Sequence, residues 1–216
     1  PMAHDWVLFL DADERLPQKL KNELATLFKK GPDKDGYFIK SLYKIDDHVC
    51  RYGMRNNKLC LFNMRKIAFP VVDDLACPGM GEIEGHYQPV SKEPFDKIRI
   101  GRLKHPVVHL GLNDHARWFI KHENYAQWAA CMTARKAWPI DPDLRRQAIK
   151  SFFRKIPFQA SGAFLHSYLL KLGFMDGKAG WKLARSRYTY YAMINRASKR
   201  RCQQTRSRLQ NQVPAH

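Results

Sequence analysis

Asp11 and Asp13 stand one residue apart in Leu10-Asp-Ala-Asp-Glu14, directly after the apolar run Trp6-Val-Leu-Phe-Leu10. A short continuous apolar run reads as a strand buried on both faces, of the kind found in a parallel sheet. Two carboxylates just past its end project from the carboxyl edge of the sheet, where α/β proteins bind ligands. Their hard oxygens suit Mg²⁺ or Mn²⁺. A cation there would neutralise charge developing on a diphosphate leaving group. The plainer account is a solvated acidic turn that caps the next helix. His109 could add a neutral imidazole as a third metal ligand, or simply be hydrogen-bonded at a strand end.

The elements that must position these groups are legible in the pattern. Pro17 sits where a first helical turn would begin, and Leu20, Leu24, Leu27 and Phe28 recur at helical spacing until Gly31-Pro32. Strand, acidic turn and helix therefore make one βα unit. Gly36 to Tyr43 and Lys58 to Phe62 read as further strands. Residues 70–97 are rich in Pro, Gly and acids, which favours an irregular functional loop; it carries Asp73-Asp74, Glu82 and Glu84. Arg102 to Leu110, with His105 and His109, reads as one strand-like run. Asn113 is placed to cap a long helix from about Asp114 to Ala137. Trp118, Tyr125, Trp128, Ala129 and Met132 fall close to one of its faces, most simply as core. Lys121 and Arg117 on the same helix could reach a diphosphate, or lie on its solvated face.

Charge divides the chain. The 216 residues carry 38 Lys/Arg against 20 Asp/Glu. From Leu144 onward there are 16 Lys/Arg and a single acid, Asp176, whereas residues 1–143 hold 22 Lys/Arg and 19 acids. We therefore expect a main α/β unit over 1–143, a helical appendage over 144–198 and a disordered basic tail over 199–216. Between Phe152 and Ile194, aromatics and leucines alternate with Lys and Arg. That suits helices lying against an anionic membrane surface. Helices packed on the enzyme core with a solvated basic face are an equal alternative. No apolar stretch reaches the roughly 18 residues of a spanning helix. The five cysteines form no C-x-x-C pair, so neither a zinc site nor a disulfide framework is suggested, and a reducing compartment fits best.

Trp6-Val-Leu-Phe-Leu-Asp-Ala-Asp-Glu-Arg-Leu16 resembles the D-x-D segment of family-2 glycosyltransferases, above all the bacterial members that build lipopolysaccharide cores and other surface glycans. Similarity continues through Gly36-Tyr37, Lys58 to Phe62, the Glu82/Glu84 loop, His109 and the Trp118…Lys121…Tyr125-Ala126 helix. It ends at Gly173-Phe-Met-Asp-Gly-Lys-Ala-Gly180, like the G-F-x-D-G-x-x-G turn late in that subfamily. The resemblance implies a partial GT-A, Rossmann-like mixed sheet flanked by helices. It implies a nucleotide-sugar donor held by Asp11, Asp13 and Lys121, a divalent metal on Asp13, Asp11 and His109, and inversion at the anomeric carbon. A carboxylate then removes the proton of a glycan or lipid-linked acceptor: Glu82 matches the family's Glu and Glu84 comes second. Gly81 stands where the family often has His. The first two βα units of the nucleotide site are expected upstream of Pro1. The protein implied is cytoplasmic, peripheral on the inner face of the membrane.

Two other classes compete. Clustered Lys/Arg with interleaved aromatics also describes a nucleic-acid or polyanion surface. No nucleic-acid motif accompanies it, and a balanced domain with a buried-strand D-x-D has no place in a simple nucleic-acid module, so no nucleic acid is expected. A metal-dependent hydrolase or phosphotransferase using Asp11 and Asp13 would need a dedicated water-activating group, and the sequence singles out none.

Overall fold

The computed structural model describes residues 4–71, 73, 76–79, 87–93, 98–112, 114–138 and 144–210. Its described strands are β1 (Trp6–Leu8), β2 (Glu14–Arg15), β3 (Gly36–Ile45), β4 (His48–Val49), β5 (Asn56–Asn63), β6 (Ile67–Ala68), β7 (Val90–Ser91), β8 (Ile100–Arg102) and β9 (Val107–His109). The α-helices are α1 (Gln18–Lys30), α2 (His115–Ala134), α3 (Leu144–Lys155), α4 (Gln159–Leu165) and α5 (Gly177–Gln210). The fold is mixed α/β. Among the described residues the longest strand, β3, is the spine of a seven-stranded sheet: five strands run in the order β1-β5-β3-β9-β2, and β4 and β8 pair with β3 off that path. It pairs antiparallel with β5 on one side and parallel with β8 and then β9 on the other.

Burial follows from that position. Leu59 to Phe62 of β5 are buried without a break, as expected for a strand covered on both faces. One face packs Tyr37, Ile39, Leu61 and Val107 against Leu20 of α1. Full burial of a side chain such as Leu20 is worth about 1.5–3 kcal/mol. The other face joins Leu59 and Phe62 to Ile67 of the β6–β7 ribbon. Helix α1 keeps the sequence boundaries: Pro17 precedes it, and Gly31 follows with φ of 81°, a conformation glycine adopts without steric cost.

Several expectations are corrected. β1 is an edge strand, antiparallel to β5, with its residues only half-buried, and not a doubly covered parallel strand. The run from Arg102 to Leu110 is broken after Arg102 and resumes at Val107, so that β8 and β9 occupy successive stretches of one edge of β3. The Glu23 carboxylate of α1 fixes the break by accepting the backbone N–H groups of Lys104 (2.8 Å) and His105 (2.9 Å). Asp114, one residue later than expected, caps α2 by accepting the Arg117 N–H; Asn113 lies outside the described residues. The expected disordered tail begins instead as helix, since α5 continues to Gln210. Cys77 and Cys131 form a disulfide between the acidic loop and α2, against the expectation of a fully reduced chain. Cys50 and Cys60 are buried free thiols whose pKa burial pushes up to about 12.

The residues after 143 are not a detached appendage. Ala179 and Leu183 of α5 share a core with Ile45, Cys50 and Leu112, and Ile194 packs on the core formed by Trp128 and Met132 of α2. The joint is the Gly173–Gly180 segment. Asp176, buried there, accepts the Tyr52 N–H (2.7 Å) and lies 3.0 Å from His48 Nε2. A Cβ on Gly173 would sit 2.7 Å from the Ser167 carbonyl oxygen, and one on Gly180 would collide with the Gly173 carbonyl. Close backbone approach is what these glycines permit. The motif that resembled a family signature is the hinge point that docks α5 onto the sheet.

Candidate functional site

Antiparallel pairing of β2 with β9 sets Glu14 directly opposite His109, and the Leu110 N–H donates to the Asp13 carbonyl at 2.9 Å. The acidic turn after β1 closes on itself through Glu14 N–H to the Asp11 carbonyl, 2.9 Å. Two distant stretches of sequence are thereby brought to one point. Lys58 of β5 bonds the Asp11 carboxylate and lies 3.2 Å from Glu14 Oε1. Burial alone would lower the Lys58 pKa, but Asp11 and Glu14 more than offset it and hold the ammonium above its ordinary value.

The acids differ in how fully they are engaged. Glu14, with no side-chain exposure, accepts the Ser41 hydroxyl (2.9 Å) and the Asp11 N–H (3.1 Å). By contrast, Asp13 Oδ1 is a buried oxygen that accepts no hydrogen bond among the described residues. His109 Nδ1 lies 3.6 Å from it, beyond hydrogen-bond reach. Burial lowers the His109 pKa, and the neighbouring Asp13 and Glu14 do not reverse this, so its imidazole is neutral at pH 7 with a lone pair to give. Gly111 keeps the corner open: a Cβ there would stand 2.5 Å from His109 Nε2 and 2.8 Å from Asp13 Oδ2.

Of the residues named from sequence, Asp11, Asp13, His109 and Lys121 all line one cavity of about 1010 Å³. Asp11, Glu14 and His109 each bring one ligand atom within 4.8 Å of the others. Glu14 was not singled out from sequence. Its signal was present: Glu14 shares a strand face with Leu16, two residues on, and Leu16 packs on the core. Both Glu14 oxygens are already engaged within the protein; the group whose ligand atoms lie within reach of one another is Asp11, Glu14 and His109, and Asp13 Oδ1 lies beside it, 3.6 Å from His109 Nδ1.

The opposite wall comes from the helices. Arg117, Trp118 and Lys121 of α2 and Arg187 and Tyr190 of α5 complete the cavity. Arg187 Nε is buried and donates to nothing among the described residues. Trp118 and His122 stack at 4.0 Å, presenting flat surfaces one turn apart. Arg187 was also missed in the sequence, where it is one of 16 cations after residue 143 with nothing to mark it. Glu82, Glu84 and Asp74 lie outside the described residues. The described residues that flank 80–86 are Gly79, packed against the Asn124 carbonyl of α2, and Tyr87, which with Gln88 lines the cavity. Asp73 does not line the cavity. Compared with protein-family models, curated proteins and solved structures, the chain matches none.

Proposed function

We propose that this cavity transfers a sugar, with inversion, from a nucleotide-sugar donor to a glycan or lipid-linked acceptor in bacterial surface-glycan or lipopolysaccharide biosynthesis. One observation carries the reading. In a single cavity, a buried carboxylate oxygen of Asp13 and the buried Arg187 Nε each lack a hydrogen-bond partner among the described residues. Leaving buried polar atoms unpaired costs about 1–3 kcal/mol each. A divalent cation bound to a diphosphate would satisfy both, since it offers a cation to Asp13 and anionic oxygens to Arg187.

Asp11, Asp13 and His109 would hold Mg²⁺ or Mn²⁺, which when bound supplies Lewis-acid stabilisation of the departing diphosphate. Lys121 and Arg187 bind the phosphates electrostatically. Glu82, or Glu84 in second place, accepts the acceptor hydroxyl proton as that oxygen bonds to the anomeric carbon and the bond to the diphosphate breaks. The mixed sheet with an acidic turn at its edge is consistent with the GT-A arrangement that the resemblance implies. Among the described residues no helix is long and apolar enough to cross a membrane. A cytoplasmic enzyme peripheral to the inner face of the membrane belongs to the same proposal.

The test incubates the protein with a panel of UDP-, GDP- and TDP-sugars and Mn²⁺. Asp13→Ala, Glu82→Gln and Arg187→Gln are each expected to lower metal-dependent turnover by about 10²-fold or more. Turnover that is indifferent to Asp13, or absent with every donor, contradicts the proposal.

A further inference from the structure

Residues 169–175, Leu-Leu-Lys-Leu-Gly-Phe-Met, hold five large apolar side chains, and every one is exposed. Leu170 is 76% exposed and Met175 54%, values that soluble surfaces reserve for scattered residues and not for a contiguous turn. The turn is not loosely held. It spans the end of a π-helical turn (His166–Leu170) and most of a 3-10 turn (Gly173–Asp176). Buried Ser167, Gly173 and Asp176 pin it, and the Gly53 N–H donates to the Lys171 carbonyl at 2.8 Å. Trp181, half-exposed, packs edge-on against Tyr168 (5.4 Å) and Phe164 (5.1 Å) and extends the apolar tip into α5.

Cations lie within this tip and in the first turns of α5 that follow it. Lys171, Lys178 and Arg185 are exposed, and Lys182 bonds Asp46 at 2.6 Å. Asp176, the one acid after residue 143, is buried. On α5 the cavity-lining residues Leu183, Ser186, Arg187 and Tyr190 alternate with outward-facing Trp181, Arg185 and Tyr188. One helix therefore serves both the site and this surface.

We propose that the 169–181 tip is a docking surface for an anionic lipid bilayer, with its leucines, Phe174 and Met175 inserted among acyl chains and its cations against the headgroups. The charge complements an anionic membrane, and the aromatic-over-aliphatic composition suits the interface between headgroups and hydrocarbon. Nucleic acid fits less well, because aliphatic Leu and Met offer no ring on which a base can stack. Docking here would hold the cavity close to a lipid-linked acceptor. The inference deepens the peripheral membrane location in the proposed function, but it is argued from exposure and charge and survives if no sugar is transferred.

The experiment is sedimentation of the full chain with vesicles of phosphatidylglycerol and phosphatidylcholine, against phosphatidylcholine alone, with single-stranded RNA as competitor. Leu170→Ser combined with Met175→Ser is expected to weaken binding to phosphatidylglycerol vesicles by about tenfold or more, with an unchanged melting temperature. Lys171→Glu combined with Lys178→Glu, which leaves every apolar contact in place, should abolish the preference for phosphatidylglycerol. Binding untouched by both double variants, no preference for the anionic lipid in the wild type, or complete displacement by RNA would each overturn the proposal. Because no turnover is measured, its failure is distinct from failure of the transfer reading.

Discussion

Asp13 and Asp176 are aspartates in the two motifs that stand out in this chain, and the structure treats them in opposite ways. Asp176 has both carboxylate oxygens engaged, one by the Tyr52 N–H and one by His48, and it locks α5 to the sheet. Asp13 has a buried oxygen that accepts no hydrogen bond among the described residues, in a cavity, beside a neutral histidine. A buried acid whose hydrogen bonds are complete is scaffold. One left incomplete where a ligand can enter is the group on which the proposed function rests, because an unpaired buried oxygen carries a cost that a ligand would relieve. Sequence motifs alone do not separate the two.

The largest expected effect lies on the Asp13 side. Asp13→Ala should lower metal-dependent turnover by about 10³-fold, near 4 kcal/mol, while leaving the denaturation midpoint almost unmoved, as followed by donor hydrolysis and urea titration. Asp176→Ala should do the reverse. Two hydrogen bonds to a buried carboxylate are lost, and stability should fall by about 3 kcal/mol in the same titration, with activity of the remaining folded protein reduced far less. If both variants lose activity and stability together, the contrast between them fails.

Lys58→Met sharpens the comparison inside the acidic corner. It removes the cation that now bridges Asp11 and fully buried Glu14, at a cost of about 2 kcal/mol, and added Mn²⁺ should restore part of the lost melting temperature. The smallest effect concerns Glu23, whose carboxylate is satisfied like that of Asp176. Burial would raise its pKa, but hydrogen bonds from Lys104 and His105 outweigh that and hold it below the ordinary glutamate value. Its contribution is therefore present above the ordinary glutamate pKa and is lost as pH falls through the lower folded value. Glu23→Gln should flatten the acid limb of the stability profile, as followed by urea titration across that pH range.

How much was legible in the sequence follows from the range of the forces involved. Helix α1 and the strands around Tyr37 and Leu61 are written in local periodicity and punctuation and match the structure, whereas the expected strand-turn-helix unit is interrupted by β2 at Glu14–Arg15. Asp11, Asp13, His109 and Lys121 were named from residue type and resemblance, and the structure brings all four to one cavity. Strand partners were not legible. The apolar run of β1 looks the same whether its neighbours are parallel or antiparallel, and only the pairing with β5 decides. Nor was the long-range pairing of Cys77 with Cys131, 54 residues apart, or the return of Arg187 to the cavity across the whole fold. Composition separated 1–143 from the rest by charge, yet packing ignores that boundary, because α5 builds one wall of the site.

The most direct test is Mn²⁺ binding followed by electron paramagnetic resonance, with and without a nucleoside diphosphate, on the wild type, Asp13→Ala and Asp176→Asn. The account predicts Mn²⁺ capture that UDP or GDP strengthens, lost in Asp13→Ala and retained by the folded fraction of Asp176→Asn. Equal capture by wild type and Asp13→Ala would contradict it.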